Sequence, residues 1–384
     1  MSQWLRHWLA YRRFTKLPRE KRELVFYSEG PAYWVHLEPL VRALVDHHGQ
    51  SLCYVSSGED DPGTAFAHPC VLPFVVGEGT ARTLLFSTLD AGVMVMSMPD
   101  LGRFWIRRSA RPVHYVYVHH SLVSTHMIYG QGAFDDFDTI MCAGPHHVKE
   151  TRATEQIYGL AAKRLIEHGY GRLDALLASE RCADGARFGS GTHALRVLIA
   201  PSWGREALLE SVGAELVEIL LDAGYHVTLR PHPQTRRLNP TILDDILERF
   251  GEHAGFAYEE DVASQASLHV SDIMISDWSG AALDYAFTLE RPVLFVDVPR
   301  KVNNPEYQRL EPLPLEVSIR EEIGAVVSPD ALASVPGLVE RLSGDSRKFA
   351  ERIRAARRSW VFNLGESGVR GAEAIMGILR SNRT

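Results

Sequence analysis

From Leu24 onward, short apolar runs of β type alternate with stretches whose apolar residues recur at helical spacing. Residues 24–28 predict a strand, Glu29-Gly30-Pro31 its turn, and 34–47 a helix with Trp34, Leu37, Leu40, Val41 and Leu44 on one face. Further strands are predicted at 52–56, 92–97, 113–119 and 139–143. Strands separated by helices pair in parallel, because the crossover helices cover both faces of the sheet. After Asp174 the pattern loosens, and 178–193 is short of large aliphatics while holding several Gly, Ser and Asp. Such a stretch suits a linker. The alternation then restarts with strands at 196–200, 226–229, 256–258, 272–275, 292–296 and 325–327, and with a helix over 206–223.

The expected fold class is therefore α/β, with two Rossmann-like domains whose parallel sheets face a central cleft. A basic, aromatic helix spans 1–22, a first domain 23–177, a linker 178–195 and a second domain 196–345. Helices over 346–384 close the chain and are expected to cross back to the first domain. Ligands of such sheets meet the C-terminal ends of the strands.

Composition supports this picture. The 384 residues are 45% hydrophobic and 23% charged, enough apolar material for two cores. The formal charge of −7 argues against a nucleic-acid partner. The cysteines Cys53, Cys70, Cys142 and Cys182 show no metal-ligand spacing and read as reduced thiols of a cytoplasmic protein. No apolar run is long enough to span a bilayer. The N-terminus differs from the rest: Trp4, Leu5, Trp8 and Leu9 recur at helical spacing among Arg6, Arg12, Arg13, Lys16, Arg19, Lys21 and Arg22. A helix of this kind either lies on an anionic membrane surface or packs on its own domain with a solvated basic face.

Four constellations carry candidate chemistry. Arg230-Pro231-His232-Pro233 follows a predicted strand, and the prolines fix the backbone direction of His232. An imidazole at a strand end can donate to a diphosphate and offset charge on a leaving phosphate, or it can simply cap the loop. Ser276-Asp277-Trp278-Ser279-Gly280 lies between a strand and an apolar helix, where free backbone N–H groups can cradle a phosphate. Ser279 serves equally as a plain N-cap. Asp284, further along that helix, can meet a ribose hydroxyl or face solvent. His119 and His120 end a strand of the first domain, from which a neutral imidazole can deprotonate an attacking hydroxyl. The spacing leaves open which of the two does so, and either can instead be structural. The doublets His47-His48 and His146-His147 carry no carboxylate or cysteine at ligand spacing, so no metal site is expected. Glu29 and Gly30 form either a turn suited to an acceptor hydroxyl and a close backbone approach or a plain turn. Pro201-Ser202-Trp203-Gly204 has the same geometry in the second domain, where Ser202 can meet a phosphate.

With these residues in place, the chain resembles the CDP-glycerol glycerophosphotransferase family, the teichoic-acid-type polymerases and primases of GT-B fold. The resemblance runs from about Leu24 nearly to the C-terminus. It is carried by Ala200-Pro201-Ser202-Trp203, Arg230-Pro231-His232-Pro233, and Ser276-Asp277-Trp278-Ser279 continuing to Asp284-Tyr285 and Arg291-Pro292. It implies that His232 and the 276–279 turn hold a donor diphosphate, and that a first-domain histidine is the base on the acceptor. Where the family has His-Gly, this chain has His119-His120, with His119 in the histidine place. The resemblance further implies a CDP-linked donor, release of CMP, no bound metal or cofactor, and a polymer or lipid-linked acceptor at the inner face of a membrane. The rival readings are a glycosyltransferase using a CMP- or other nucleotide-sugar donor, an epimerase of GT-B type, and a noncatalytic nucleotide- or lipid-binding component of polymer assembly.

Overall fold

The computed structural model describes residues 2–104, 106–182, 194–260 and 266–382, with the side chains of 181 and 182 left aside. They form two compact units: residues 1–175, 306–312 and 361–384 in the first, and 176–305 and 313–360 in the second.

The first unit is built on seven parallel strands: β1 (Leu24–Ser28), β2 (Leu52–Ser56), β3 (Val71–Val75), β4 (Val93–Met96), β5 (His114–Val118), β6 (Thr139–Cys142) and β7 (Arg164–Glu167). Their order is β3-β2-β1-β4-β5-β6-β7, so the strand direction of winding reverses between β1 and β4. The register pairs Phe26 with Tyr54 on one side and with Val95 on the other. Because both faces are covered, alternate residues of one strand feed two separate cores. Val25, Tyr27, Met94, Met96, Tyr115 and Tyr117 pack with Phe14, Leu85 and Phe86. Leu24, Phe26, Val93, Val95 and Val116 pack with Leu37, Leu40 and Leu44 of the helix Trp34–His48 and with Ile375, Ile378 and Leu379 of the helix Ser367–Ser381.

The second unit repeats the design with six strands: β8 (Arg196–Ile199), β9 (His226–Leu229), β10 (Phe256–Tyr258), β11 (Ile273–Ser276), β12 (Val293–Val296) and β13 (Gly324–Val327). Their order is β10-β9-β8-β11-β12-β13, all parallel, and the winding reverses between β8 and β11. The helix Ser346–Trp360 belongs to this unit, whereas Ser367–Ser381 belongs to the first.

The strands expected from apolar alternation are present within a residue or two of their bounds. Two others, β3 and β7, were not expected. Both are sheet edges, where the burial signal is weak. β3 carries Pro73, which an edge tolerates because the missing N–H has no neighbour to bond. β7 exposes Arg164 and Glu167. The linker assigned to 178–195 needs correction at its start. Residues 178–182 continue the helix Gly171–Cys182, where Ala178 and Ser179 are exposed and call for no large aliphatics. The remainder of that linker, 183–193, lies outside the described residues.

Candidate functional site

In the second unit the loops after β8, β9, β11 and β12 emerge at the same end of the sheet, on either side of the β8/β11 reversal. That is where doubly wound sheets hold ligands. After β9, Arg230 is buried and His232 half-buried. His232 is the N-cap of the short helix Pro233–Leu238, its Nδ1 accepting from the Gln234 N–H at 3.1 Å. A nitrogen that accepts carries no proton, so the neutral ring bears its hydrogen on Nε2. Burial, assisted by the positive charge of Lys301, lowers the His232 pKa to about 4. The ring is thus a neutral Nε2–H donor at physiological pH, suited to a phosphate oxygen.

The motif after β11 is arranged differently from a simple cradle. The Asp277 carboxylate, fully buried, accepts from the Ser202 N–H at 2.6 Å, the Ser202 hydroxyl at 3.0 Å and the Leu208 N–H at 3.0 Å. Ser276 donates its hydroxyl to the Ala200 carbonyl at 2.7 Å. Ser202, Ser276 and Asp277 therefore tie the loop after β8 to the turn after β11. Ser279 caps the helix Gly280–Leu289 with its hydroxyl, which accepts from the Ala281 N–H at 3.3 Å, while the Ala282 N–H bonds the Ser279 carbonyl at 3.1 Å. Of the first-turn donors, two are thereby taken within the turn. Asp284 is buried in the same helix, which removes the solvent-facing alternative.

Sequence reasoning missed one cation. Lys301 follows β12 and places its ammonium 3.8 Å from the centroid of the Trp203 ring. Trp203 in turn packs against His232, ring centroids 5.9 Å apart. The available signal was the basic pair Arg300-Lys301 in a strand-end loop, which no motif draws attention to.

In the first unit the corresponding loops follow β1, β4 and β5, at the β1/β4 reversal. Glu29 is largely buried, and burial raises its pKa to about 7 against the opposing effects of a hydrogen bond with Tyr33 and the nearby Arg82. The packing reason here belongs to Gly58, in the loop after β2: a Cβ on it would lie 2.8 Å from the Gly30 Cα, whereas a Cβ on Gly30, at φ 157°, would meet Gly58 at an ordinary 3.8 Å. The close approach at this turn is thus made by another backbone of the same unit.

The two histidines after β5 differ sharply. His120 is held by its Nδ1, 2.9 Å from the Ser97 carbonyl. A carbonyl only accepts, so Nδ1 bears the proton and Nε2 accepts from the Tyr129 hydroxyl at 3.2 Å. Its own carbonyl accepts from Tyr170 at 3.2 Å. His119 is buried with its ring stacked on His147 at 3.7 Å, and its Nε2 has no hydrogen-bond partner among the described residues. Burial, reinforced by the neighbouring His147 and His146, pushes its pKa well below the ordinary value. His147 is satisfied on both nitrogens, accepting at Nδ1 from the Ala143 N–H and donating from Nε2 to the Val123 carbonyl.

A carboxylate does stand near the 146–147 doublet, contrary to the sequence reading. Glu150 lies one helical turn on, fully buried, accepting from the Thr125 N–H at 2.7 Å and the Thr125 hydroxyl at 2.6 Å and lying 3.5 Å from His126. Among the described residues, no three His, Cys, Asp or Glu side chains are grouped so as to hold a metal.

Two parallel, doubly wound units of this kind define a GT-B-like α/β protein. Residues 135–301 match the family model described as CDP-glycerol:poly(glycerophosphate) glycerophosphotransferase, and the resemblance carried by the second-unit motifs is thereby borne out. The match takes in Ser202, Arg230, His232, the 276–280 turn, Asp284 and Lys301, and leaves Glu29, His119 and His120 outside it. Solved structures with the same fold include the wall teichoic acid polymerase TagF soaked with CDPG, at 14% identity, a TM-score of 0.58 and coverage of 99% of this chain and 98% of that one. Another is the UDP-GlcNAc 2-epimerase of Methanocaldococcus jannaschii in complex with UDP-GlcNAc and UDP, at 13% identity, TM-score 0.52, and 93% and 99% coverage. A glycosyltransferase from Rickettsia africae follows at 10% identity, TM-score 0.54, and 94% and 99% coverage. No curated protein sequence matches the chain.

Proposed function

We propose that this chain transfers glycerol phosphate, or a similar polyol phosphate, from a CDP-linked donor to a hydroxyl of a surface-polymer or lipid-linked acceptor. An acceptor oxygen attacks the β-phosphorus, the bond to the bridging oxygen breaks, and CMP leaves. The observation that carries this reading is the family match across the second-unit motifs, in which His232 is set as a neutral Nε2–H donor. Arg230 and His232 offset the charge that grows on the departing phosphate. Ser202, Ser276 and Asp277 shape the loops around them, and Gly280 and Asp284 lie on the helix that opens there.

On the acceptor side the proton passes to His119. Its Nε2 is the unpartnered nitrogen, whereas both nitrogens of His120 are engaged. Glu29 and Gly30 complete the acceptor side. The chemistry proposed uses no resident metal or cofactor.

The helix Gln3–Thr15 supports a peripheral location at the inner face of a membrane. Leu5 and Leu9 are exposed on its outer side, Trp4 is 65% exposed, and Arg6, Arg12 and Arg13 surround them. No helix among the described residues is long and apolar enough to cross a membrane.

The test is CMP release from CDP-glycerol, measured chromatographically with a lipid-linked glycerol phosphate acceptor, in wild type and His232→Ala. Acceptor-dependent CMP that is lost in the variant is the expected result. Turnover of a nucleotide sugar with CDP-glycerol untouched would move the protein to the glycosyltransferases. Saturable nucleotide binding with no turnover on any donor would make it a binding component.

A further inference from the structure

Lys301 is an unusual cation for a loop. It is mostly withdrawn from water, and burial lowers its pKa to about 8 despite the carboxylates of Asp277 and Glu210. Neither carboxylate forms an ion pair with it at bonding distance, and Asp277 is already engaged by Ser202 and the Leu208 N–H. What fixes the ammonium is the Trp203 ring, 3.8 Å away. A ring takes one face of an ammonium and leaves N–H donors on the other side open to solvent or to a ligand. A partly desolvated cation with donors to spare, in the same cluster as the Nε2–H of His232, is an arrangement suited to an anion.

We propose that Lys301 grips a phosphate of the nucleotide donor, held against the face of Trp203 and beside His232. The inference rests on the nucleotide-donor reading of this unit and adds to it the cation that the motifs do not contain. It also accounts for how an anion is held where Asp277 and Glu210 contribute negative charge and where the Ser279 cap has taken two of the helix-terminal donors. Loops after β8, β9 and β12 each supply one member: the ring, the imidazole and the ammonium.

The experiment is calorimetric titration of CDP and of cytidine into wild type, Lys301→Met, Lys301→Arg and His232→Ala, with melting curves to verify folding. Lys301→Met is expected to weaken CDP at least tenfold while leaving cytidine within twofold, and Lys301→Arg to recover most of the loss. If Lys301→Met fails to fold, Lys301→Gln gives the same comparison. CDP affinity unchanged within twofold in the folded variant overturns the assignment. If His232→Ala loses CDP and Lys301→Met keeps it, the donor reading stands and the lysine alone is misassigned. A wild type that binds no CDP removes both.

Discussion

Asp277 holds Ser202 through two hydrogen bonds, from its N–H at 2.6 Å and its hydroxyl at 3.0 Å, and so joins loops 75 residues apart in sequence. The same carboxylate takes the Leu208 N–H. Replacing Asp277 by Ala leaves three buried donors without an acceptor. Each orphaned group costs roughly 1–3 kcal/mol, so Asp277→Ala is expected to lower unfolding free energy by about 3 kcal/mol or more in urea denaturation. Ser202→Ala removes one bond and is expected to cost about 1 kcal/mol. Equal, small losses in both variants would mean that the tie is incidental.

Acid sensitivity follows from the buried histidines. Burial lowers His147 to about 3 and His168 to about 4, with His36 and His119 also well below the ordinary value. Their folded values lie below the unfolded one near 6.5. The unfolded chain therefore binds more protons between those values, and stability is full above pH 6.5 and falls toward pH 4. Urea midpoints measured from pH 7.5 down to 4.5 should decline steadily, and His147→Gln should reduce the slope.

Glu29 acts in the opposite sense. Its pKa, raised to about 7, lies above the unfolded value near 4.5, so the folded state gains protons there and stability falls as pH rises from about 4.5 to 7. Glu29→Gln keeps the shape and stays neutral, so it should be more stable than wild type at pH 8. If the carboxylate meets the acceptor, the variant should also lose an inflection near pH 7 in kcat/KM. An unchanged pH–rate profile would remove Glu29 from the acceptor side.

For the N-terminal helix, Trp4 and Leu9 are exposed enough that substitution should cost little stability. Trp4→Ser with Leu9→Ser is expected to weaken sedimentation with phosphatidylglycerol vesicles about tenfold or more, and added salt should weaken wild-type binding. Equal binding to neutral phosphatidylcholine vesicles would exclude the electrostatic component.

The interior strands were readable because parallel strands covered on both faces appear as continuous apolar runs, as at Val93–Met96. The edges β3 and β7 lack that burial, and nothing local compensates. At the site, His232 and the 276–280 turn stood out through prolines, glycine and hydroxyls that punctuate strand ends. Their individual roles did not. That Asp277 bonds Ser202 depends on two loops meeting, and that His120 is anchored by Ser97 depends on neighbouring strands. Lys301 was illegible for the same reason: a lysine in a loop looks solvated until Trp203 is placed beneath it. His146-His147 misled in the reverse direction, since Glu150 at helical spacing is visible in the sequence, but its engagement by Thr125 is not.

The helix Ser367–Ser381 follows every element of the second unit in sequence, yet it covers part of a face of the first sheet, where Ile375, Ile378 and Leu379 are buried. Burying three such side chains contributes on the order of 6 kcal/mol. During synthesis the part of that face not covered by the helix Trp34–His48 stays open until residues 367–381 have emerged, whereas the second unit has its strands and helices through Trp360 before then. The first unit is thus completed only after the elements of the second have emerged. A chain truncated after Trp360 should release a matured second unit attached to a first unit that sticks to chaperones, which ribosome-profiled or pulse-chase protease protection can resolve in time.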